Sequence, residues 1–186
     1  MGSRLVSSLL LGLLCWASLS LGFDHANGLD PKYEKDFGFW LRQGVSNKYQ
    51  YVWGAYDPNK LTYDTKAKAW KRGLDCSGFV YWAGRKAAIP GIRRTTSFDM
   101  AHGGSGWTGI ILPGGLRDAK STDIMFWTLS KDRPFGHVGV LLHNPATGFP
   151  GVTHASSSRG VVMDEVKGWV IDKMVRIRRL TIGDKK

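Results

Sequence analysis

Acidic residues, cysteines and long apolar runs are all scarce in this chain of 186 residues. It has 15 aspartates and glutamates against 26 lysines and arginines, for a formal net charge of +11. Its two cysteines form no Cys-x-x-Cys pair, and its histidines form no His-x-x-x-His pattern, so we expect no metal site. No repeat, low-complexity run or long linker divides the chain, and only its amino-terminal apolar run approaches the length of a membrane span.

The first 22 residues have the pattern of an export signal. Arg4 supplies a positive start, residues 5–14 form a short apolar core, and Ser20-Leu21-Gly22 offers small side chains for cleavage before Phe23. An uncleaved membrane anchor is the alternative, although the run is short and contains serine and glycine. We therefore predict a signal peptide over residues 1–22, a single domain over residues 23–186, and a secreted or periplasmic location.

The positive charge predicts an anionic partner. Nucleic acid, anionic lipid and an anionic cell wall all satisfy that condition, and solubility alone is a further explanation. The lysines and arginines are scattered, apart from a cluster near Arg176 to Arg179, and no helix-turn-helix or zinc-finger pattern is present. A specific nucleic-acid site is therefore not expected.

Helix signals occupy the first half of the mature chain. Asp30-Pro31 is a good helix start, and the helix should end near Gly44. A second helix should begin at Asp75 and end before Pro90-Gly91, with apolar residues at helical spacing. Residues 55–72 are predicted to be a loop, with a short helix possible over Lys66 to Lys71.

The second half changes to short β-rich runs between turn residues, with a glycine-rich loop over residues 102–117. The predicted strands are Ile124 to Trp127, Val138 to Leu142, Val152 to Ala155, Gly160 to Met163 and Met174 to Leu180. Helices followed by a meander of antiparallel strands predict an α+β fold.

Cys76 becomes the single cysteine of the chain once the signal peptide is removed, because Cys15 leaves with it. The second helix would place Cys76 in its first turn, where backbone amides and the helix dipole favour a thiolate. His137 and His154 lie on neighbouring predicted strands, which can bring both side chains to one face. A thiol with two imidazoles is sufficient for a nucleophile, a base and a group that orients the base.

Each of these residues also has an ordinary explanation. Free cysteines are often buried and inert, and a single histidine is usually an unremarkable polar residue. His25, His102 and His143 are interpreted in that way.

Four ordered motifs resemble those of the NlpC-type peptidases, which are papain-like cysteine enzymes that cut bacterial peptidoglycan stem peptides. The match runs from about Tyr49 to Arg179. The motifs are Tyr51-Val52-Trp53-Gly54, Asp75-Cys76-Ser77-Gly78-Phe79-Val80, Gly136-His137-Val138-Gly139-Val140 and His154-Ala155-Ser156.

The resemblance implies a papain-like α+β domain with the nucleophile at a helix N-terminus packed on an antiparallel sheet. It implies that Cys76 is the nucleophile, His137 the base and His154 the orienting residue, with a thioester intermediate and no cofactor. It places Tyr51 beside the cysteine. The expected substrate is peptidoglycan, cut between γ-D-glutamate and the following diamino acid by a monomeric enzyme.

Further residues are expected to contact the substrate. The resemblance assigns Asp75 and Ser77 to the free amino end of the stem peptide. Trp53 and Trp82 flank the proposed site, where each is either a groove wall for sugar or peptide or part of the core.

The chain departs from the family pattern at several turns. Ser121-Thr122-Asp123 replaces the usual Pro-Gly-Asp, Gly54-Ala55 replaces Gly-Gly, and the loop from Asn144 to Gly151 is long. These changes affect the shape of the groove and remove no catalytic group. Two alternatives to the peptidase remain. One is a catalytically silent wall-binding module, and the other is a papain-like amidase or acyl transferase.

Overall fold

The computed structural model describes residues 28–144, 147–148 and 150–181. The predicted signal peptide lies outside these residues. The helices are α1 (Pro31–Ser46), α2 (Cys76–Lys86), α3 (Ser97–His102), a 3₁₀ turn (Gly115–Arg117) and α4 (Trp169–Asp172). The strands are β1 (Thr62–Asp64), β2 (Ala69–Lys71), β3 (Gly109–Ile111), β4 (Ile124–Trp127), β5 (His137–His143), β6 (Pro150–Ser156), β7 (Gly160–Glu165) and β8 (Met174–Leu180).

Helix α1 begins where the sequence predicted. The side chain of Asp30 accepts a hydrogen bond from the backbone N–H of Lys32 at 2.8 Å, and proline occupies the first helical position. Phe37 and Leu41 are fully buried one turn apart and anchor the helix to the rest of the domain. The helix continues two residues past the expected end at Gly44.

The main sheet has six antiparallel strands in the order β3-β8-β4-β5-β6-β7. Strands β4 to β7 form the predicted meander, whereas β8 returns to the other edge of β4. All five predicted strands are present, and the α+β fold class is confirmed.

Apolar side chains cover both faces of this sheet. Helices α1 and α2 pack on one face, where the larger buried cluster includes Phe37, Phe79, Val80, Phe126 and Val138. A smaller cluster on the other face includes Met125, Trp127, Val152 and Val170 of α4. Burial on both faces explains why β4 is a continuous apolar run without alternation.

The prediction of a loop or short helix over residues 55–72 was wrong for its second half, which forms the β1–β2 hairpin. Tyr63 and Trp70 face each other across the two strands, with ring centroids 5.6 Å apart. In the turn, Asp64 Oδ1 accepts hydrogen bonds from the backbone of Lys66 at 3.0 Å and Ala67 at 3.1 Å. This cross-strand aromatic pair and the Asp-bonded turn favour the hairpin over a helix.

The predicted glycine-rich loop contains β3, and α3 precedes it. Strand β3 pairs only with β8, whose residues are about 70 positions away in the sequence. A three-residue strand that depends on so distant a partner leaves little local signal. Among the described residues, no helix is long and apolar enough to cross a membrane.

Candidate active site

Cys76 is the first residue of α2, directly after the N-cap Asp75. Asp75 is extended, and its Oδ1 accepts a hydrogen bond from the backbone N–H of Gly78 at 2.5 Å. A β-carbon at position 78 would collide with the carbonyl oxygen of Ala55, so the first turn of α2 needs glycine there. The motif around Cys76 is therefore a helix start pressed against the preceding segment.

Asp75 and Ser77 hold this turn together. Besides Gly78, the Asp75 carboxylate accepts from the backbone of Gly54 at 3.0 Å, from Ser77 Oγ at 3.0 Å and from Arg94 Nη2 at 2.8 Å. Arg94 Nη1 also donates to Ser77 Oγ at 2.9 Å. Both residues are buried, and the polar groups of both side chains have partners within the protein.

The Cys76 side chain is buried, with 7% of the residue exposed. Burial and the neighbouring negative charge of Asp75 raise the pKa of Cys76 to about 12. The backbone amides of Val138 and Ser77 act in the opposite direction and lower this pKa, as does Arg94. The helix start was expected to favour the thiolate, but burial outweighs it, and the resting group at neutral pH is a thiol.

His137 and His154 meet on one face of the sheet. His154 is paired in register with Gly139, two residues after His137 on β5. His137 Nε2 and His154 Nδ1 are 2.8 Å apart, which is a hydrogen bond. A β-carbon at position 139 would lie 3.0 Å from His154 Cβ and 2.7 Å from the carbonyl oxygen of Thr153, so glycine allows this close approach.

The same strand connects the histidines to the cysteine. Val138, which follows His137 on β5, lies near enough to Cys76 for its backbone amide to lower the pKa of the thiol. The start of β5 and the start of α2 therefore lie against each other, with His137 at the junction.

Both imidazoles are held in their neutral form. Burial, followed by the neighbouring His154, lowers the pKa of His137. Burial also lowers the pKa of His154, although Asp164 opposes that shift. The rings of Trp127 and Trp169 surround the pair, at 5.6 Å from His137 and 5.4 Å from His154 respectively.

Asp164 and Arg159 extend this network and were missed by sequence reasoning. His154 Nε2 lies 3.1 Å from Asp164 Oδ2. Arg159 donates to both oxygens of that carboxylate, at 2.7 Å and 2.6 Å. Strand β7 was expected to end at Met163, whereas it continues to Glu165. The register pairs His154 with Val162, and alternation then puts Asp164 on the same face as His154.

Tyr51 also lies near the cysteine. Its backbone forms an isolated parallel bridge with Leu74, two residues before Cys76. Burial, followed by the neighbouring Cys76 and Asp75, raises the pKa of Tyr51, so its phenol stays protonated.

The two tryptophans that were expected to flank the site differ in burial. Trp53 is 43% exposed, and its ring lies beneath the amine of Lys66 at 5.2 Å and the guanidinium of Arg133 at 5.9 Å. Trp82 is 6% exposed and packs within the core against Phe79. Trp53 is thus the surface residue of the pair.

The other histidines take part in different contacts. His102 Nδ1 bonds to the carbonyl of Phe98 at 2.8 Å, and His143 is exposed at the end of β5. His25 lies outside the described residues. Within the described ranges, no group of three or more histidine, cysteine, aspartate or glutamate side chains is arranged to hold a metal ion.

Comparison with known proteins gives structural matches alone. No protein-family sequence model matches the chain, and no curated protein sequence matches it. The peptidoglycan hydrolase RipB of Mycobacterium tuberculosis superposes with a TM-score of 0.56 at 20% identity, covering 81% of this chain and 68% of RipB.

Two further solved structures show the same similarity. A Staphylococcus aureus NLP/P60-family protein, similar to a lipoprotein, has a TM-score of 0.58 at 17% identity, covering 84% of this chain and 44% of its own. RipD of M. tuberculosis, a non-catalytic NlpC/P60 domain protein adapted to peptidoglycan binding, has a TM-score of 0.53 at 15% identity, covering 78% of this chain and 98% of RipD. The α+β domain that carries Cys76, His137 and His154 therefore has the NlpC/P60-type fold.

Proposed function

We propose that the chain is a secreted cysteine endopeptidase that hydrolyses peptidoglycan stem peptides between γ-D-glutamate and the following diamino acid. One observation carries this proposal. The start of β5 lies against Cys76 at the start of α2 and also carries His137, whose Nε2 is 2.8 Å from His154 Nδ1. This placement supports Cys76 as a thiol nucleophile, His137 as its base and His154 as the orienting residue.

The charge states support a mechanism in which proton transfer accompanies attack. Because the thiol of Cys76 and the imidazole of His137 are both neutral at rest, His137 removes the thiol proton as the sulfur attacks the substrate carbonyl. The amine leaves with that proton, and a thioester remains on Cys76. His137 then takes a proton from water, the hydroxide attacks the thioester, and the product acid leaves as the thiol is restored.

The oxyanion formed during attack needs hydrogen-bond donors. Backbone amides in the first turn of α2 are proposed for this role, since the amide of Ser77 is near enough to lower the pKa of Cys76. The protonated phenol of Tyr51 is a further donor beside the cysteine.

The groove residues of the proposal differ in how open they are. Trp53, between Lys66 and Arg133, forms a positive aromatic wall suited to the carboxylates of a stem peptide. Asp75 and Ser77 are proposed to meet the free amino end. Since Arg94 already pairs with Asp75, the amine would join an occupied network and not an empty carboxylate.

The test compares the purified chain with its Cys76→Ala variant on peptidoglycan fragments of both common stem types, with products identified by mass spectrometry. We expect cleavage after γ-D-glutamate by the wild type and a loss of at least about 10³-fold in the variant, because the nucleophile is gone. Equal cleavage by both proteins would contradict the proposal. Transfer to an added amine in place of water would instead indicate an acyl transferase.

A silent wall-binding module is the second candidate, and the burial of Cys76 favours it. RipD combines the same fold with peptidoglycan binding in the absence of catalysis. Under this alternative, wild type and Cys76→Ala would sediment equally with insoluble peptidoglycan, and neither would release fragments.

A further inference from the structure

We propose that Asp164, clamped by Arg159, is a positioning residue that sets the tautomers of both His154 and His137. Its catalytic consequence rests on the proposed function, in which His137 is the base for Cys76. The tautomers themselves are a property of the resting protein and are testable without turnover.

The direction of each hydrogen bond follows from the outer end of the network. An ionised carboxylate only accepts hydrogen bonds, and both oxygens of Asp164 already accept from Arg159. The bond of 3.1 Å to His154 therefore requires a proton on His154 Nε2. A neutral imidazole carries one proton, which leaves His154 Nδ1 as an acceptor.

The tautomer of His154 in turn determines the tautomer of His137. Since His154 Nδ1 accepts, the proton in the 2.8 Å bond belongs to His137 Nε2. The Nδ1 atom of His137 is then bare. A bare nitrogen is what a base needs to remove a proton from a thiol, so the outer carboxylate selects the competent form of the base.

A fourth residue, Asp164, is needed because the third residue, His154, is an imidazole and not a carboxylate. A carboxylate in the position of His154 would accept from His137 in every case. An imidazole can either donate or accept there, and the two arrangements differ only in which nitrogens carry the protons. Asp164 removes that ambiguity.

Asp164 is the charged acceptor that bonds to the histidine pair in the described residues. His137 on β5, Asp164 on β7 and Arg159 in the β6–β7 turn are the titratable or charged groups facing His154. From β4 and α4 it meets the rings of Trp127 and Trp169. The Asp164 side chain is 15% exposed, and that of His154 is 3% exposed, so water competes little for this bond.

The experiment measures imidazole ¹⁵N shifts by NMR in the full chain near pH 7. In wild type we expect both His137 and His154 to carry the proton on Nε2. In Asp164→Ala the charged group that remains near His154 is Arg159, which can only donate hydrogen bonds. His154 Nε2 would then be an acceptor, so protons should move to Nδ1 of both rings. Asp164→Asn, which has nearly the same shape, should show a mixture of the two tautomers because its amide can donate or accept.

Glu165→Gln is the matched control, since Glu165 follows Asp164 on the same strand, is exposed and pairs with Lys167. It should leave both tautomers unchanged. Wild-type tautomers in folded Asp164→Ala and Asp164→Asn would overturn the inference.

The kinetic consequence separates positioning from structure. If the proposed peptidase activity is present, Asp164→Asn should lower kcat by about tenfold or more with little change in KM, because the base is lost and binding is kept. An unchanged kcat would also overturn the inference. An inactive wild type with the expected tautomers would reject the proposed function and leave the tautomer assignment intact.

Discussion

Opposing influences act on the single sulfur atom of Cys76. The amides at the start of α2 and β5 favour a thiolate, whereas burial and the carboxylate of Asp75 favour the thiol and prevail. Arg94, which pairs with Asp75, offsets part of that carboxylate's effect. In the proposed mechanism the sulfur therefore needs a base to become a nucleophile, and the neutral imidazole of His137 is the proposed base.

The raised pKa of Cys76 predicts slow alkylation near neutral pH. The rate with iodoacetamide should rise about tenfold per pH unit and keep rising between pH 9 and 10, since the thiolate fraction still grows there. Mass spectrometry of the peptide that contains Cys76 measures the rate separately from Cys15.

The unfolded chain in urea is the control, and its rate should level off above the ordinary thiol pKa of 9.0. A plateau in the folded protein at or below pH 9 would contradict the burial argument.

At the scale of elements, the site depends on where two elements begin. Helix α2 starts at Cys76 because Asp75 caps it, and β5 starts at His137 directly against that turn. The close contact between α2 and the preceding segment requires glycine at position 78, where any side chain meets backbone. The nucleophile and the base of the proposed mechanism, Cys76 and His137, are thus the first residues of their elements.

Two glycine substitutions test this packing. Gly78→Ala should destabilise the protein by about 1–3 kcal/mol, because its β-carbon overlaps the carbonyl of Ala55 and backbone must move. Gly38→Ala in α1 is the matched control, since its β-carbon meets only side chains, at 3.3 Å or more. That control should be neutral or stabilising by up to about 1 kcal/mol.

Thermal and urea unfolding followed by circular dichroism give both values. Equal stability of the two variants would show that the 54–56 segment is free to move away from α2. If the proposed peptidase activity is present, folded Gly78→Ala should also show reduced kcat, because Cys76 would be displaced.

At the scale of the whole molecule, the sheet is buried on both faces and encloses the histidine pair between β5, β6 and β7. His154 is 2% exposed, so its positive form is disfavoured in the folded chain. The formal net charge of the chain is +11, which is compatible with the anionic cell wall of the proposed function.

Acid should therefore destabilise the fold before its carboxylates titrate. Both buried histidines have folded pKa values below their ordinary 6.5, so the unfolded chain binds more protons as the pH falls through that value. The free energy of unfolding should be fully retained above pH 6.5 and decline below it. The lowered pKa of Asp164 adds a second decline as the pH falls below about 4.

Urea midpoints at pH 7 and pH 5 measure the first decline. Replacing the exposed His143 by glutamine should leave it unchanged, which makes that variant the control. Identical midpoints at the two pH values would show that the buried imidazoles are not held neutral by the fold.

Local signals in the sequence determined much of the fold. The capped starts at Asp30 and Asp75 define two helices, and apolar runs between turn residues define five of the six main strands. These helices and strands could be predicted because helix caps and apolar periodicity depend on residues that are close together in the sequence. The ordered motifs around Cys76, His137 and His154 likewise predicted the NlpC/P60-type fold before any coordinates.

Other features were decided by tertiary structure alone. The register between β6 and β7 brings Asp164 to His154, and a shift of one residue would place it on the opposite face. The β1–β2 hairpin depends on the pairing of Tyr63 with Trp70, and β3 depends on the distant β8. The raised pKa of Cys76 results from burial by several elements at once, because desolvation depends on everything packed around a group and not on its neighbours in the chain.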